Sequence, residues 1–330
     1  MSTTDPCLTI VTPTFNRRAV LDRAIRSVLS QEFDNYEYLI VDDGSTDDTW
    51  ELVSSYRDSR IRYIRLPQRE GANVARNVGI REARASWITF LDSDDEFLPH
   101  RLTSLCSQIQ RRKSIELFLS SFRSCRPQRS TTHSNPAVTL GPSQLKDAII
   151  TYAIPVAGTS ITAKRETLLK VGGFDPTVSR MQDREVLLKL SDVCGCSVLA
   201  DVDWVKHHSE GSISGQSSGY VKALGHVLDL HPDLAAGYRG VLGYSVARNM
   251  LRNLFRGNWS AVCEDWQSNR DCQWMQFGLS EMLWLYRTGK TQRRLTTRTL
   301  EGLARVQSQY FPFARPTPTR EFARLEKMAF

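Results

Sequence analysis

What most narrows the fold of this chain is the alternation, over its first ninety residues, of short β-rich apolar runs with stretches of helical periodicity. Leu8 to Thr14 is the first such run. Behind it Val20, Leu21, Ala24, Ile25, Val28 and Leu29 recur at the spacing that lines one face of a helix. Tyr36 to Asp42 reads as a second strand, Asp47 to Arg57 as a helix with two aspartates in its first turn, and Ile61 to Leu66 as a third strand. A helix from Ala72 to Ala85 and a strand from Trp87 to Asp92 complete the series. Such alternation builds a parallel sheet covered on both faces. Ligands of these sheets bind beyond the carboxyl ends of the strands.

Farther on, Pro99 opens a helix carrying Leu102, Leu105, Cys106 and Ile109, and Ile115 to Ser121 is a strand candidate. The Ser-, Thr- and Pro-rich segment from Ser124 to Pro136 reads as a mobile loop. Thr159 to Ala163, a short helix to Val171, the turn GGFDP, a helix from Asp183 to Val193 and a strand near Ser197 to Asp201 follow. From Tyr220 the β signals fade. Leu251, Leu254, Phe255, Trp259, Trp266, Leu283 and Leu285 lie there among many arginines, which reads as a helical region.

Composition excludes more than it selects. No run approaches the roughly 18 apolar residues that span a bilayer, and MSTTDPCLTIVTPT lacks the parts of a secretory signal, so a cytoplasmic location is expected. The seven cysteines lack the paired spacing of a zinc or disulfide framework. A formal charge of +7 suits an acidic partner such as a nucleotide, an anionic lipid surface or a nucleic acid.

Two motifs carry chemistry. In WITFLDSDDEF an apolar strand ends in Asp92, Ser93, Asp94 and Asp95. Carboxylates there reach the ligand crevice, and Asp-x-Asp spacing lets one hold a divalent cation while its neighbour meets a sugar hydroxyl. In YLIVDDGSTDDT a strand runs into Asp42, Asp43 and Gly44. An aspartate there accepts a hydrogen bond from a uracil imide or a ribose hydroxyl. Helix capping is the plain alternative for each motif taken alone.

The order TPTFN, VDDGS, GANVARNVGI, FLDSDDE over residues 7 to 100 resembles family-two glycosyltransferases with the A-type (GT-A) fold. A weaker echo runs through GGFDP and Gln182-Asp183 to HHSEGSIS at His207 to Ser214. The resemblance implies a GT-A nucleotide-diphospho-sugar transferase fold over residues 1–219, with a nucleotide-binding half at 1–97, an acceptor half at 98–219, and a helical C-terminal region at 220–330. It also implies transfer from a nucleotide-sugar donor, a UDP-sugar in the first instance, to a glycan, lipid-linked or protein hydroxyl with inversion, in glycan or cell-envelope polysaccharide synthesis. The implied cofactor is Mg2+ or Mn2+.

Carried over by position, Thr12, Phe15, Asp43, Arg76, Asp92 and Ser93 match donor-binding residues, with Phe15 stacking on the base and Asp43 reading it. Asp94 matches the principal metal ligand, with Asp95 as a second candidate and His208 as a late contribution to the metal. Asp183 matches the general base, Gln182 replacing the glutamate usual before it and Glu185 standing in reserve. In the helical region Arg248, Arg252, Arg256 and Arg287 accompany Trp259, Trp266, Trp274 and Trp284. That interleaving fits either a peripheral contact with anionic lipid at the inner face of a membrane or tryptophans buried against the transferase domain or a second subunit of a homo-oligomer. A nucleotidyltransferase and a decayed glycan-binding scaffold are the rival readings, and no nucleic-acid partner is expected because the acidic motifs repel phosphate.

Overall fold

The structure is a computed structural model and describes residues 5–126, 129–208 and 218–310. Ten strands among these residues form one sheet: β1 (Leu8–Thr14), β2 (Tyr36–Asp42), β3 (Ile61–Arg65), β4 (Trp87–Phe90), β5 (Glu96–Phe97), β6 (Leu117–Arg126), β7 (Arg129–His133), β8 (Val138–Leu140), β9 (Ile161–Lys164) and β10 (Cys196–His207). Its main path runs β3-β2-β1-β4-β9-β6-β10-β5. β1 pairs in parallel with β2 and β4, and β2 with β3. Beyond β4 the sheet becomes mixed, because β9 runs antiparallel to both β4 and β6. In the parallel part Thr14 stands opposite Asp42, so the two strand ends deliver their loops to one edge.

The helices before the C-terminal region are α1 (Arg18–Leu29), α2 (Thr49–Ser55), α3 (Ala72–Glu82), α4 (Arg101–Arg111), α5 (Pro142–Ile150), α6 (Arg165–Lys170) and α7 (Gln182–Ser191). Period-two alternation sends strand residues to opposite faces. Leu8 and Ile10 of β1 pack with Leu21, Ile25 and Val28 of α1 and Leu102 and Leu105 of α4, while Val11 joins the cluster on the other face. Burying side chains of this size stabilises the fold by roughly 1.5–3 kcal/mol each.

The segment expected to be a mobile loop, Ser124 to Pro136, is instead largely a β-hairpin: β6 runs on to Arg126 and β7 returns antiparallel beside it. Threonine suits a strand despite its polarity, and the His133 ring stacks on Phe122 at 4.6 Å, fixing the return. β10 is likewise longer than expected, because Asp203 is buried in an ion pair with Arg101 instead of ending the strand in solvent.

From Tyr220 the chain is helical: α8 (Tyr220–Leu230), α9 (Asp233–Gly237), α10 (Arg239–Phe255), α11 (Trp259–Asp271) and α12 (Leu279–Tyr310). Val221, Leu224, Leu242, Val246, Leu285 and Leu300 from these helices share one buried cluster with Ile149 of α5, Leu187 of α7 and Phe90 of the sheet. α10 and α12 approach closely at glycine. A Cβ on Gly289 would lie 2.3 Å from the Gly240 carbonyl oxygen and 2.5 Å from Tyr244 Cβ. No helix of the described residues is long and apolar enough to cross a membrane.

Candidate active site

At the ends of β1 and β2 two loops are tied together. The Asn16 side-chain oxygen accepts the Thr46 N–H at 2.8 Å, and the Ser45 hydroxyl accepts the Asn16 N–H at 2.9 Å. Asp42 is turned inward, accepting the Ser45 N–H at 2.9 Å and the Tyr63 hydroxyl. Gly44, at φ +78°, turns the chain so that Asp43 points the other way. Asp43 accepts the N–H groups of Glu70 and Gly71 at 2.7 and 2.8 Å, which fixes the loop carrying Arg69. The Arg69 guanidinium lies 4.4 Å above the Phe15 ring. Each Asp43 oxygen keeps acceptor capacity for a ligand.

The turn after β4 is held from below. Arg101 and Asp203, both fully buried, form an ion pair, and Arg101 also donates to the Thr159 carbonyl at 2.8 Å. The Thr159 hydroxyl accepts the Asp92 N–H at 3.1 Å and donates to Asp95 at 2.8 Å. Asp95 is therefore turned into the protein, and burial pushes its carboxyl well above the usual carboxylate range. Asp92 receives Arg76 at 2.7 Å. Burial works against its charge, but Arg76 and Lys206 prevail and hold its carboxyl below the usual range.

One face of α3 grips the Gly-Phe-Asp turn. Asn77 exchanges two hydrogen bonds with Phe174, at 2.7 and 2.8 Å, and Asn73 donates to the carbonyls of Asp175 and Val178 at 2.7 and 2.9 Å. This clamp sets where α7 begins. Asp183 is the second residue of α7, where the helix N-terminus favours a carboxylate. Lys206 of β10 completes the centre. Burial alone would lower its pKa, but Asp95, Asp92, Asp183 and Asp94 together raise it.

These parts open on one cavity of about 700 Å³. Phe15, Asp43, Arg76, Asp92, Ser93, Asp94 and Asp183 all line it, joining residues up to 168 positions apart in sequence. Four aspartates and nine cationic side chains share its wall, the cations including Arg180, Arg184, Lys206, Arg248, Arg252 and Arg293.

The family described as Glycosyl transferase family 2 matches residues 9–172. Through this half, the chain belongs to glycosyl transferase family 2. A Haemophilus influenzae protein named as an uncharacterized glycosyltransferase is 28% identical over 184 residues, covering 56% of this chain and 61% of that one. The GalNAc(5)-diNAcBac-PP-undecaprenol beta-1,3-glucosyltransferase of Campylobacter jejuni is 39% identical over 103 residues, covering 30% of this chain and 33% of that one. The chain thus spans about three fifths or one third of the length of these curated relatives. Among solved structures, S. aureus TarS 1–349 in complex with UDP-GlcNAc superposes with a TM-score of 0.64 at 17% identity, over 90% of this chain and 91% of that one. The fold is GT-A.

Four positions carried over from the family lie elsewhere than the cavity wall: Thr12, His208, the second metal candidate Asp95, which is turned onto Thr159, and the reserve base Glu185. Thr12 is fully buried, its hydroxyl 3.2 Å from that of Tyr38, and Pro13 and Thr14 line the cavity in its stead. His208 is 2.8 Å from the Ser124 hydroxyl, and burial lowers its pKa. Residues 209–214 of the HHSEGSIS segment lie outside the described residues. Glu185, the reserve base, is buried with Lys189 at 3.2 Å.

The grouping of arginine and tryptophan in the helical region also divides. Arg248 and Arg252 line the cavity of this family 2 domain, Trp266 and Trp274 pack against the core, and Trp259 and Trp284 are exposed. Helical periodicity alone cannot announce such a wall, because α10 carries its arginines on the side that faces the sheet's ligand edge only after the chain has folded back.

Proposed function

We propose that this family 2 domain transfers a sugar from a nucleotide-diphosphate donor, in the first instance a UDP-sugar, to a hydroxyl acceptor by a single inverting displacement assisted by a divalent cation. The observation that carries this reading is one cavity bounded by Asp43 and Asp94 beyond the sheet and by Asp183 at the start of the facing helix. On this reading Phe15 and Asp43 take the nucleobase, and Asp92, fixed by Arg76, meets the ribose or the donor sugar. Asp183 accepts the proton of the acceptor hydroxyl as that oxygen attacks the anomeric carbon.

The residues fit a magnesium or manganese ion. Among the described residues no group of three His, Cys, Asp or Glu side chains is gathered to hold a metal unaided. Magnesium commonly needs one or two carboxylates and completes its shell with substrate phosphate and water, so Asp94, with Asp92 beside it, is a suitable donor set. The cation would supply charge compensation for the departing diphosphate. Lys206 adds a fixed positive charge among the same carboxylates. The name of the Campylobacter relative supports a lipid-linked acceptor.

The test is release of nucleoside diphosphate from UDP-GlcNAc and other nucleotide sugars, with and without Mg2+ or Mn2+. Turnover should need the cation, and Asp94→Asn should lose most of it. Full activity in excess chelator, or a product of retained anomeric configuration, contradicts the corresponding part of the proposal.

A further inference from the structure

The cavity holds more positive charge than its donor end uses, and the surplus comes from the helical region. Arg248 and Arg252 stand one turn apart on α10, Arg293 comes from α12, and Arg180 precedes α7. Among the described residues no carboxylate pairs with Arg248, Arg252 or Arg293. Desolvation, then Arg256, Arg248 and Arg180, hold the Arg252 guanidinium below its ordinary pKa, so like charges crowd there.

The crowding is built. Asp265 of α11, fully buried, accepts Asn249 Nδ2 at 2.6 Å and Asn253 Nδ2 at 3.0 Å. With its amide thus fixed, Asn249 presents its side-chain oxygen to Arg252. Asn249 is 4% exposed and Asn253 0%, so this bracket is part of the core. It orients Arg252 toward the cavity without neutralising it. Arg180 is fixed through a 2.7 Å bond to the Ser218 carbonyl. A guanidinium aimed into a cavity by a buried bracket, among other arginines, is suited to bidentate recognition of a phosphoryl group.

We propose that Arg248 and Arg252, with Arg180 and Arg293 beside them, form a subsite for a phosphoryl or diphosphoryl group carried by the acceptor, separate from the donor's diphosphate. The assignment to the acceptor rests on reading the Asp43 and Asp94 end as the donor side. The group lies toward Asp183, since Arg180, three residues before Asp183, is near enough to Arg252 to help hold its pKa down and lines the same cavity. An accepting hydroxyl attached near a phosphate would then be brought to Asp183 by its own charge.

The test uses the full chain held at saturating UDP with magnesium in excess, into which inorganic pyrophosphate is titrated by calorimetry. One further equivalent should bind, more weakly as salt is raised. The Arg248→Gln/Arg252→Gln double variant should lose roughly 10- to 100-fold in pyrophosphate affinity while UDP affinity and melting temperature stay as in the wild type. Arg248→Lys/Arg252→Lys, which keeps charge but not the planar fork, should restore part of the binding. Methyl phosphate in a parallel titration separates the sources: tighter pyrophosphate supports a diphosphate-linked acceptor, and equal affinities support a single phosphoryl or phosphodiester. Absence of binding to the UDP-loaded protein, or insensitivity to the double variant, overturns the subsite. UDP affinity falling in step with pyrophosphate affinity overturns its assignment to the acceptor. Should UDP itself fail to bind, the donor reading fails, and pyrophosphate titrated into the free wild type and double variant still decides whether the arginines hold phosphate.

Discussion

Glu37 on β2 accepts the Thr9 hydroxyl at 2.8 Å, the Arg84 N–H at 3.0 Å and the guanidinium of Arg62. Burial pushes its pKa up, but these donors outweigh burial and hold it below the ordinary glutamate value. A depressed folded-state pKa gives stability that is present above the unfolded pKa and is lost as pH falls through the folded one. Glu37→Gln should therefore destabilise the domain by roughly 1.5–3 kcal/mol at neutral pH, and the gap should close as the medium is acidified below the ordinary glutamate range; a gap independent of pH in denaturant titrations contradicts this. At the same scale, Asp43, Asp94 and Asp183 are legible in sequence because each sits in a short motif at a strand or helix end. Arg101, Thr159 and Asp203 are not, since their meaning is a buried network joining residues up to 102 positions apart. Lys206 is hidden for the same reason, as one basic residue in an apolar strand gives no sign of four carboxylates facing it.

The elements of the first half are legible because strand and helix periods alternate there without interruption. α3 shows how far that extends: its residues Asn73, Arg76 and Asn77 share a helical face, yet only folding reveals that this face grips the Gly-Phe-Asp turn and Asp92. The β6–β7 hairpin is obscured because serine and threonine mark loops in sequence and also fill solvent-facing strands. In the helical region, the separation of α10 and α12 is set by glycine. Alanine at 289 gains up to about 1 kcal/mol in helix propensity, but its Cβ would overlap backbone at 2.3 Å, and no side-chain rotation relieves that contact. Such overpacking typically costs about 1–3 kcal/mol, and the severity of this contact sets it at the upper end. Gly289→Ala should thus lower stability in chemical denaturation; equal or greater stability means that α10 and α12 are not packed this closely.

Across the whole molecule, the sheet, α7 and the C-terminal helices share one core cluster and one cavity, so the helical region is a wall of the site as well as a neighbour of the domain. The carboxylates proposed to meet the donor follow the parallel strands, the proposed base comes from the facing helix, and Arg248, Arg252 and Arg293 come from beyond residue 220. On the proposed function, this cavity performs glycosyl transfer with Asp183 taking the acceptor's proton. Turnover of a nucleotide sugar by Asp183→Ala at saturating donor, with donor affinity measured on the same preparation, tests it most directly. Donor binding should be unchanged and turnover reduced by roughly 100- to 10,000-fold, the range that removal of a general base produces. Wild-type turnover in this variant would contradict it.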